Sequence, residues 1–304
     1  MLESSFIKAE ALRLGFFRCG ISKADRVNKE TEEKYLEWIG RGLNASMNYL
    51  SKNIEKRLDP RILVPGVKSI ISVAINYAPN IKFPENELHL SSYAIGTDYH
   101  LVVKDKLKKL AEAIGVNDYR AFCDSAPIIE KYWAEQSGIG WIGRNKQLII
   151  PKSGSMFFLG ELFVMEEVSC YDSTGKNHCG TCNKCIEACP TSCLYNDYFD
   201  SERCLSYQTI ENREKIDGSF IDKIGNTIYG CDICINACPW NKFSEPTKIE
   251  DFYPSKELIE MKFEDWEKLS VEKYKKLFKN SAVKRVKYEG LMRNIEIVSK
   301  KRRK

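Results

Sequence analysis

The chain has 304 residues, 43% of them hydrophobic and 29% charged, with 18 Gly, 10 Pro and a formal net charge of +5. That composition excludes a disordered chain and a fibrous repeat, and the length allows two domains with a small appendage. The longest apolar runs, 156–164 and 70–75, fall far short of the ~20 residues a membrane helix needs, and Glu3, Lys8, Glu10 and Arg13 interrupt the N-terminus where an export signal would be apolar, so a cytoplasmic protein without a membrane partner is expected.

Residues 1–167 read as mixed helix and strand. The spacing predicts surface helices over 32–39 and 104–114, the second with Leu107, Leu110, Ala111 and Ile114 three and four residues apart. Segments 68–77 (KSIISVAINY) and 155–164 (SMFFLGELFV) are short, branched or aromatic, and bounded by Pro and Gly, which predicts buried strands. Residues 127–136 predict a helix with Pro127 in its first turn and Glu130 near its positive end. Without strict alternation, this mixture predicts an α+β fold, with a three-layer α/β arrangement as the variant.

Residues 168–245 change character. Cys, Pro, Gly and Asn dominate and apolar periodicity fades, as when metal bonds hold a fold together. Residues 246–304 return to helical text, with Trp266, Leu269, Tyr274 and Leu277, then Leu291, Ile295 and Val298, as apolar stripes on basic helices. From 272 to 304, thirteen Lys or Arg stand against three Glu, so the rest of the chain is mildly acidic. A basic tail on an acidic body suggests a polyanion partner such as nucleic acid; the plainer alternative is a solvated terminus ending in Lys300, Lys301, Arg302, Arg303 and Lys304.

Twelve cysteines, eleven of them from Cys123 to Cys238, are an outlier. In a reducing compartment they point to a metal or redox site, and three histidines (His89, His100, His178) are too few for a His-rich centre. Cys179, Cys182, Cys185, Cys189 and Pro190 form a C-x2-C-x2-C-x3-C-P run, the spacing of two-cluster ferredoxins, in which the fourth cysteine serves the other 4Fe-4S cluster. Cys231, Cys234, Cys238 and Pro239 are a second copy lacking its first cysteine, which Cys204 can supply. Crossing the fourth ligands gives Cys179, Cys182, Cys185 and Cys238 for one cluster, and Cys189, Cys204, Cys231 and Cys234 for the other. Two structural zinc sites are the competing reading; the x3 spacing, the Cys-Pro ends and the division of eight ligands by four favour clusters. Cys170 and Cys193 are surplus, and Cys193 reads as a buried thiol beside a ligand.

Gly138, Gly140 and Gly143 match the dinucleotide fingerprint in letters, but a helix precedes them and β-like 147–150 follows, the reverse of what that site needs. The remaining readings are a Gly-rich turn with Trp141, Arg144 and Asn145 facing something bulky, or a tight helix-to-strand connection. Asp98 and His100 match the start of the Asp-x-His-x-x-Gly motif of corrinoid mutases, but Val103 replaces its glycine, so His100 is not assigned as a cobalt ligand. Asp124 lies among small and apolar neighbours (FCDSAP), which predicts a partly desolvated carboxyl able to donate a proton near neutral pH; capping of the following helix is the alternative that spacing alone favours.

Taken together, KRLDPRILVPGVKSII, SSYAIGTDYH, CDSAPIIEKYWAEQSGIGWIGRNKQLI, the eight cysteines with ERCLSYQTIE between them, YGCDICINACPWN and SAVKRVKYEGLMRNIEI resemble the epoxyqueuosine reductase family, over about four fifths of the chain. The resemblance implies an oxidoreductase of queuosine synthesis: residues 1–167 an α/β body binding base-off cobalamin, 168–245 a ferredoxin-like domain with two 4Fe-4S clusters, and 246–304 a basic helical segment contacting tRNA. Electrons would pass through the clusters to cobalamin and reduce epoxyqueuosine in the anticodon loop to queuosine and water. It implies Asp124 as proton donor, Arg57, Gly140, Trp141, Gly143, Arg144, Asn145 and Ser206 as corrin contacts, and Lys284, Arg285, Lys287, Arg293 and Asn294 as tRNA contacts. It further implies a monomer served by a low-potential donor of ferredoxin or flavodoxin type. Many members continue past LMRNIEI into a helical-repeat domain that helps hold tRNA; here the cations at 300–304 are expected to compensate in part. The alternatives are a two-cluster electron carrier and a corrinoid reductive dehalogenase-like enzyme.

Overall fold

The computed structural model describes residues 1–81, 83–84 and 86–303, so Lys304 of the basic tail lies outside the described residues. The first part supplies α1 (Ser4–Arg13), β1 (Arg18–Lys23), α2 (Lys29–Gly40), α3 (Ile54–Leu58), α4 (Pro60–Leu63), β2 (Ser69–Asn76), β3 (His89–Leu90), α5 (Tyr99–Ala113), β4 (Tyr119–Phe122), α6 (Glu130–Gln136), β5 (Trp141–Ile142), β6 (Leu148–Ile149) and β7 (Phe157–Val164). β1, β2, β7 and β4 form one sheet in that order, every pair antiparallel. The fold is therefore α+β.

β2 and β7 read as continuous apolar runs because both faces of the sheet are covered. Ile71, Val73, Ile75, Leu162 and Val164 meet Ile7 and Ala11 of α1 and Val103, Leu107 and Leu110 of α5 on one side. On the other, Ile70 and Phe163 meet Tyr132 and Trp133 of α6. Helix α5 lies so close to the sheet that a Cβ on Gly160 would come within 2.6 Å of Val103 Cγ1.

The predicted strands agree with β2 and β7 to within two residues at each end. Three helices differ at their starts. α2 begins at Lys29 rather than 32, because the Asn28 side chain accepts the Thr31 N–H at 2.9 Å and caps it. α5 begins at Tyr99 rather than 104, because the Asp98 side chain accepts the His100 N–H at 3.0 Å and caps it. α6 begins at Glu130 rather than 127: Asp124 adopts a left-handed φ of 53°, and Ile128 N donates to Ala126 O at 2.8 Å, so Pro127 lies in a turn ahead of the helix.

The second part contains α7 (Lys184–Glu187), α8 (Leu205–Ile210), α9 (Gly218–Ile221), β8 (Thr227–Tyr229), α10 (Ile233–Asn236), α11 (Lys256–Glu260), α12 (Phe263–Glu267), α13 (Val271–Leu277) and α14 (Lys287–Arg302). A second core joins Trp266, Phe278, Leu291 and Ile295 of the C-terminal helices to Leu205 and Ile228, and to Leu88 and Ile95 of the first part; β3 pairs in parallel with β8. The helices after 246 are thus packed into the body, not appended to it. Among the described residues no helix is long and apolar enough to cross a membrane.

Candidate active site

α7 and α10 bring the two cysteine runs together. Cys185 lies close enough to Cys238 and Cys179 for their charges to raise its pKa, on top of the effect of burial, and Cys238 is in the same way near Cys179 and Cys182. Cys231 is near Cys204 and Cys189, while Cys234 is near Cys231, Cys204 and Cys189 and also senses Cys185. Two sets of four thiols therefore stand side by side. Among the described residues no three His, Cys, Asp or Glu side chains close on one point as they do around a single ion. Cys193 Sγ lies 3.3 Å from Cys189 Sγ, and the hydrogen bond between them draws the Cys189 pKa down to about 4.

The 140–145 turn, expected to face something bulky and to contact a corrin, packs instead against this cysteine region. Trp141 Nε1 points at Cys179 Sγ (3.5 Å), and its ring packs edge-on against Trp240. Arg144 bonds Asn183, Asn196 and the Gly180 carbonyl. Gly140 is required by the β5–β6 pairing, because a Cβ there would stand 2.2 Å from Ile149 O. Gly143 faces the Ile149 and Asn145 side chains, and Asn145 is buried, its Oδ1 accepting from Gln147 N at 3.2 Å.

A cavity of about 1100 Å³ opens between the two parts of the chain. It exceeds the usual 300–1,000 Å³ of a small-molecule site, which suits a large cofactor together with a substrate. Cys204 of the second thiol set and Ser206 line one wall, Arg57 another, and Asp124 and Glu130 a third. Arg57 is buried; its Nη2 donates to Tyr49 O at 2.9 Å and its Nε has no partner among the described residues, which leaves a donor for an anionic or amide-rich group.

Asp124 does not cap α6, whose N-cap residue is Ile129 with no side-chain bond. Its left-handed backbone turns the carboxylate into the cavity, 61% exposed, so the desolvation predicted from its sequence neighbours is not realised. Tyr99 donates to Oδ2, the same oxygen that lies 3.9 Å from His100 Nε2; His100 Nδ1 in turn lies 2.7 Å from Asp98 Oδ1. The Asp124 N–H donates to Glu130 Oε1 at 2.5 Å. Tyr99, Asp98 and Glu130 were missed as site residues; DYH and the Glu three residues past Pro127 were the available signals.

Of the expected tRNA contacts, Lys284 and Arg285 stand on the cavity rim, Arg285 paired with Glu211 at 2.7 Å. Lys287 is exposed beside them. Arg293 and Asn294 are a correction: Arg293 donates to the carbonyls of Gln208, Asn212 and Glu214, and buried Asn294 to those of Thr209 and Ile228, so their donors hold α14 to the body and do not reach outward. The tail cations also have partners within the chain: Lys301 bonds the Asp222 and Ile224 carbonyls, Arg303 bonds Glu267, and Arg302 lies over the Phe263 ring.

Comparison with known proteins matches residues 57–125 to the family described as epoxyqueuosine reductase QueG, DUF1730, and residues 178–241 to a 4Fe-4S double cluster binding domain. An epoxyqueuosine reductase of Cellulophaga algicola is 44% identical over 97% of this chain and 97% of its own; that of Escherichia coli is 37% identical over 96% and 79%. The solved epoxyqueuosine reductase of Streptococcus thermophilus superposes with a TM-score of 0.85 at 31% identity, covering 96% of this chain and 79% of that one. An epoxyqueuosine reductase bound to an epoxyqueuosine-modified tRNA-Tyr stem loop superposes at 0.87 and 26% identity, with the same coverage.

Proposed function

The chain belongs to the epoxyqueuosine reductase family, and on that premise we propose that it reduces epoxyqueuosine at the wobble position of a tRNA anticodon to queuosine, with Asp124 as proton donor. The observation that carries this reading is that Cys204, of the second thiol set, and Asp124 line one cavity, so an electron route and a proton source converge on the same space.

Cys179, Cys182, Cys185 and Cys238 would hold one 4Fe-4S cluster and Cys189, Cys204, Cys231 and Cys234 the other, with Arg57 and Ser206 holding cobalamin; once bound, these groups supply one-electron transfer to the substrate. The 140–145 turn would act on the same chemistry by fixing the first cysteine loop through Trp141 and Arg144. Asp124 then has one task, to deliver a proton to the departing epoxide oxygen, and Tyr99 and His100 hold its carboxyl in place for it. Lys284, Arg285 and Lys287 at the rim would receive anticodon-loop phosphates.

A low-potential ferredoxin or flavodoxin fits as donor, because the proposed clusters accept single electrons. Cavity, thiol sets and cationic rim all lie in one chain, which supports action as a monomer, and a tRNA substrate supports a cytoplasmic location. Titration of anaerobic protein with hydroxocobalamin tests the cofactor assignment: a stoichiometric protein-bound corrinoid spectrum, lost in Arg57→Ala, is expected, and no binding would overturn it.

A further inference from the structure

Glu161 sits in the middle of β7, 0% exposed, on a strand buried from both sides. It shares the α6-facing side of the sheet with Ile70 and Phe163, and across the β2–β7 pairing it stands opposite Ser72, whose buried hydroxyl has no partner among the described residues. Apart from the neighbouring Glu130 carboxyl, no donor among the described residues meets either Glu161 oxygen. The group it faces is the carboxyl of Glu130, on α6. Two carboxylates cannot bond each other; a carboxylic acid and a carboxylate can, so one of the pair must carry a proton.

Glu130 joins this buried position to the cavity. It lines the cavity wall, and its Oε1 accepts the backbone N–H of Asp124 at 2.5 Å. Reduction of an epoxide to an alkene breaks two carbon–oxygen bonds, takes up two electrons, and releases the oxygen as water with two protons. Asp124 can carry one proton. Resting on the reduction proposed above, we propose that the Glu130–Glu161 pair stores the second proton and delivers it through Glu130 to the leaving oxygen, the pair being refilled from solvent through the cavity. The two electrons come from the external donor already named.

The surroundings suit a stored proton. Burial and the Asp124 charge hold Glu130 above the usual carboxylate range, and burial with the Glu130 charge does the same to Glu161. The other titratable groups facing the pair are Cys123, Tyr99 and Lys131. The first two are held un-ionised, and Lys131 is turned to the Lys146 carbonyl at 2.8 Å. Lys104, further out, bonds Ser125. Among the described residues no cation is paired with Glu161, so its neutral form is the one the site accepts.

Infrared spectroscopy of the wild-type protein, without tRNA, reads the store directly. The carbonyl stretch of an un-ionised buried carboxyl is expected at neutral pH and is expected to vanish in Glu161→Gln; its absence from the wild type would overturn the proposal whether or not any variant folds. In the pH profile of turnover on tRNA carrying epoxyqueuosine, Glu161→Gln and Glu130→Gln are each expected to lower kcat about ten-fold or more, most steeply on the alkaline side, with KM for tRNA unchanged and partial recovery in Glu130→Asp. A wild-type profile in both glutamine variants would also overturn it. If wild-type protein with a clear infrared band failed to turn over that tRNA, the substrate reading would fall and the proton pair would not.

Discussion

The Tyr99 hydroxyl donates a hydrogen bond to Oδ2 of Asp124. The contact ties the first turn of α5 to the loop ahead of α6, so the carboxylate that faces the cavity is held by the sheet-packed helix beneath it. Asp124→Asn is expected to keep iron content and corrinoid binding while turnover falls by about 10²–10⁴-fold, the usual worth of a positioned acid. Tyr99→Phe, which keeps the ring stacked on Phe158, is expected to cost less. Near-wild-type turnover of Asp124→Asn would assign the proton to another group.

Cys204→Ser removes one proposed ligand from the set that borders the cavity and none from the other. Iron per chain is expected to fall to about half, with one cluster's spectrum retained. Full iron content would show that Cys204 is not a ligand, and complete loss would show that the two sets do not assemble separately.

Lys284 and Arg293 separate rim from scaffold. Lys284→Ala is expected to lower the slope of log affinity for tRNA against log salt by about 0.7–0.9, as for one lost phosphate contact, without changing Tm. Arg293→Ala leaves the carbonyls of Gln208, Asn212 and Glu214 without that donor, so it is expected to lower stability by about 1–3 kcal/mol and to leave the salt slope alone. The reverse pattern would place Arg293 at the tRNA.

Glu161 gives stability a definite pH sign. Its native pKa lies above the 4.5 of an ordinary glutamate, so the folded state keeps a proton that the unfolded chain has already released. The associated stability is fully present below that ordinary value and is lost as pH rises through the native one. Tm measured from pH 5 to 9 is expected to fall less steeply in Glu161→Gln than in the wild type. Parallel curves would show that Glu161 ionises freely in the folded protein.

The strands β2 and β7 were legible because an unbroken run such as SIISVAIN has few uses other than a twice-covered strand. The cysteine runs were legible for a similar reason: thiolate spacing records the object the thiolates wrap. What stayed hidden depends on the third dimension. Nothing local says that Glu161, embedded in FFLGELFV, faces Glu130 of the helix packed on that side of the sheet, or that Trp141 and Arg144 turn to the cysteine loop. Basic residues misled in one respect, since a guanidinium reads as an outward charge in sequence, whereas Arg293 serves backbone carbonyls inside the molecule.

The central claim is that the cavity joining Cys204 and Asp124 reduces the epoxide of a modified tRNA base. The most direct measurement is mass analysis of nucleosides from tRNA carrying epoxyqueuosine after anaerobic incubation with cluster- and corrinoid-loaded protein and a low-potential reductant. Conversion of epoxyqueuosine to queuosine, with loss of one oxygen, is the result predicted here. An unchanged nucleoside from fully loaded protein would contradict it.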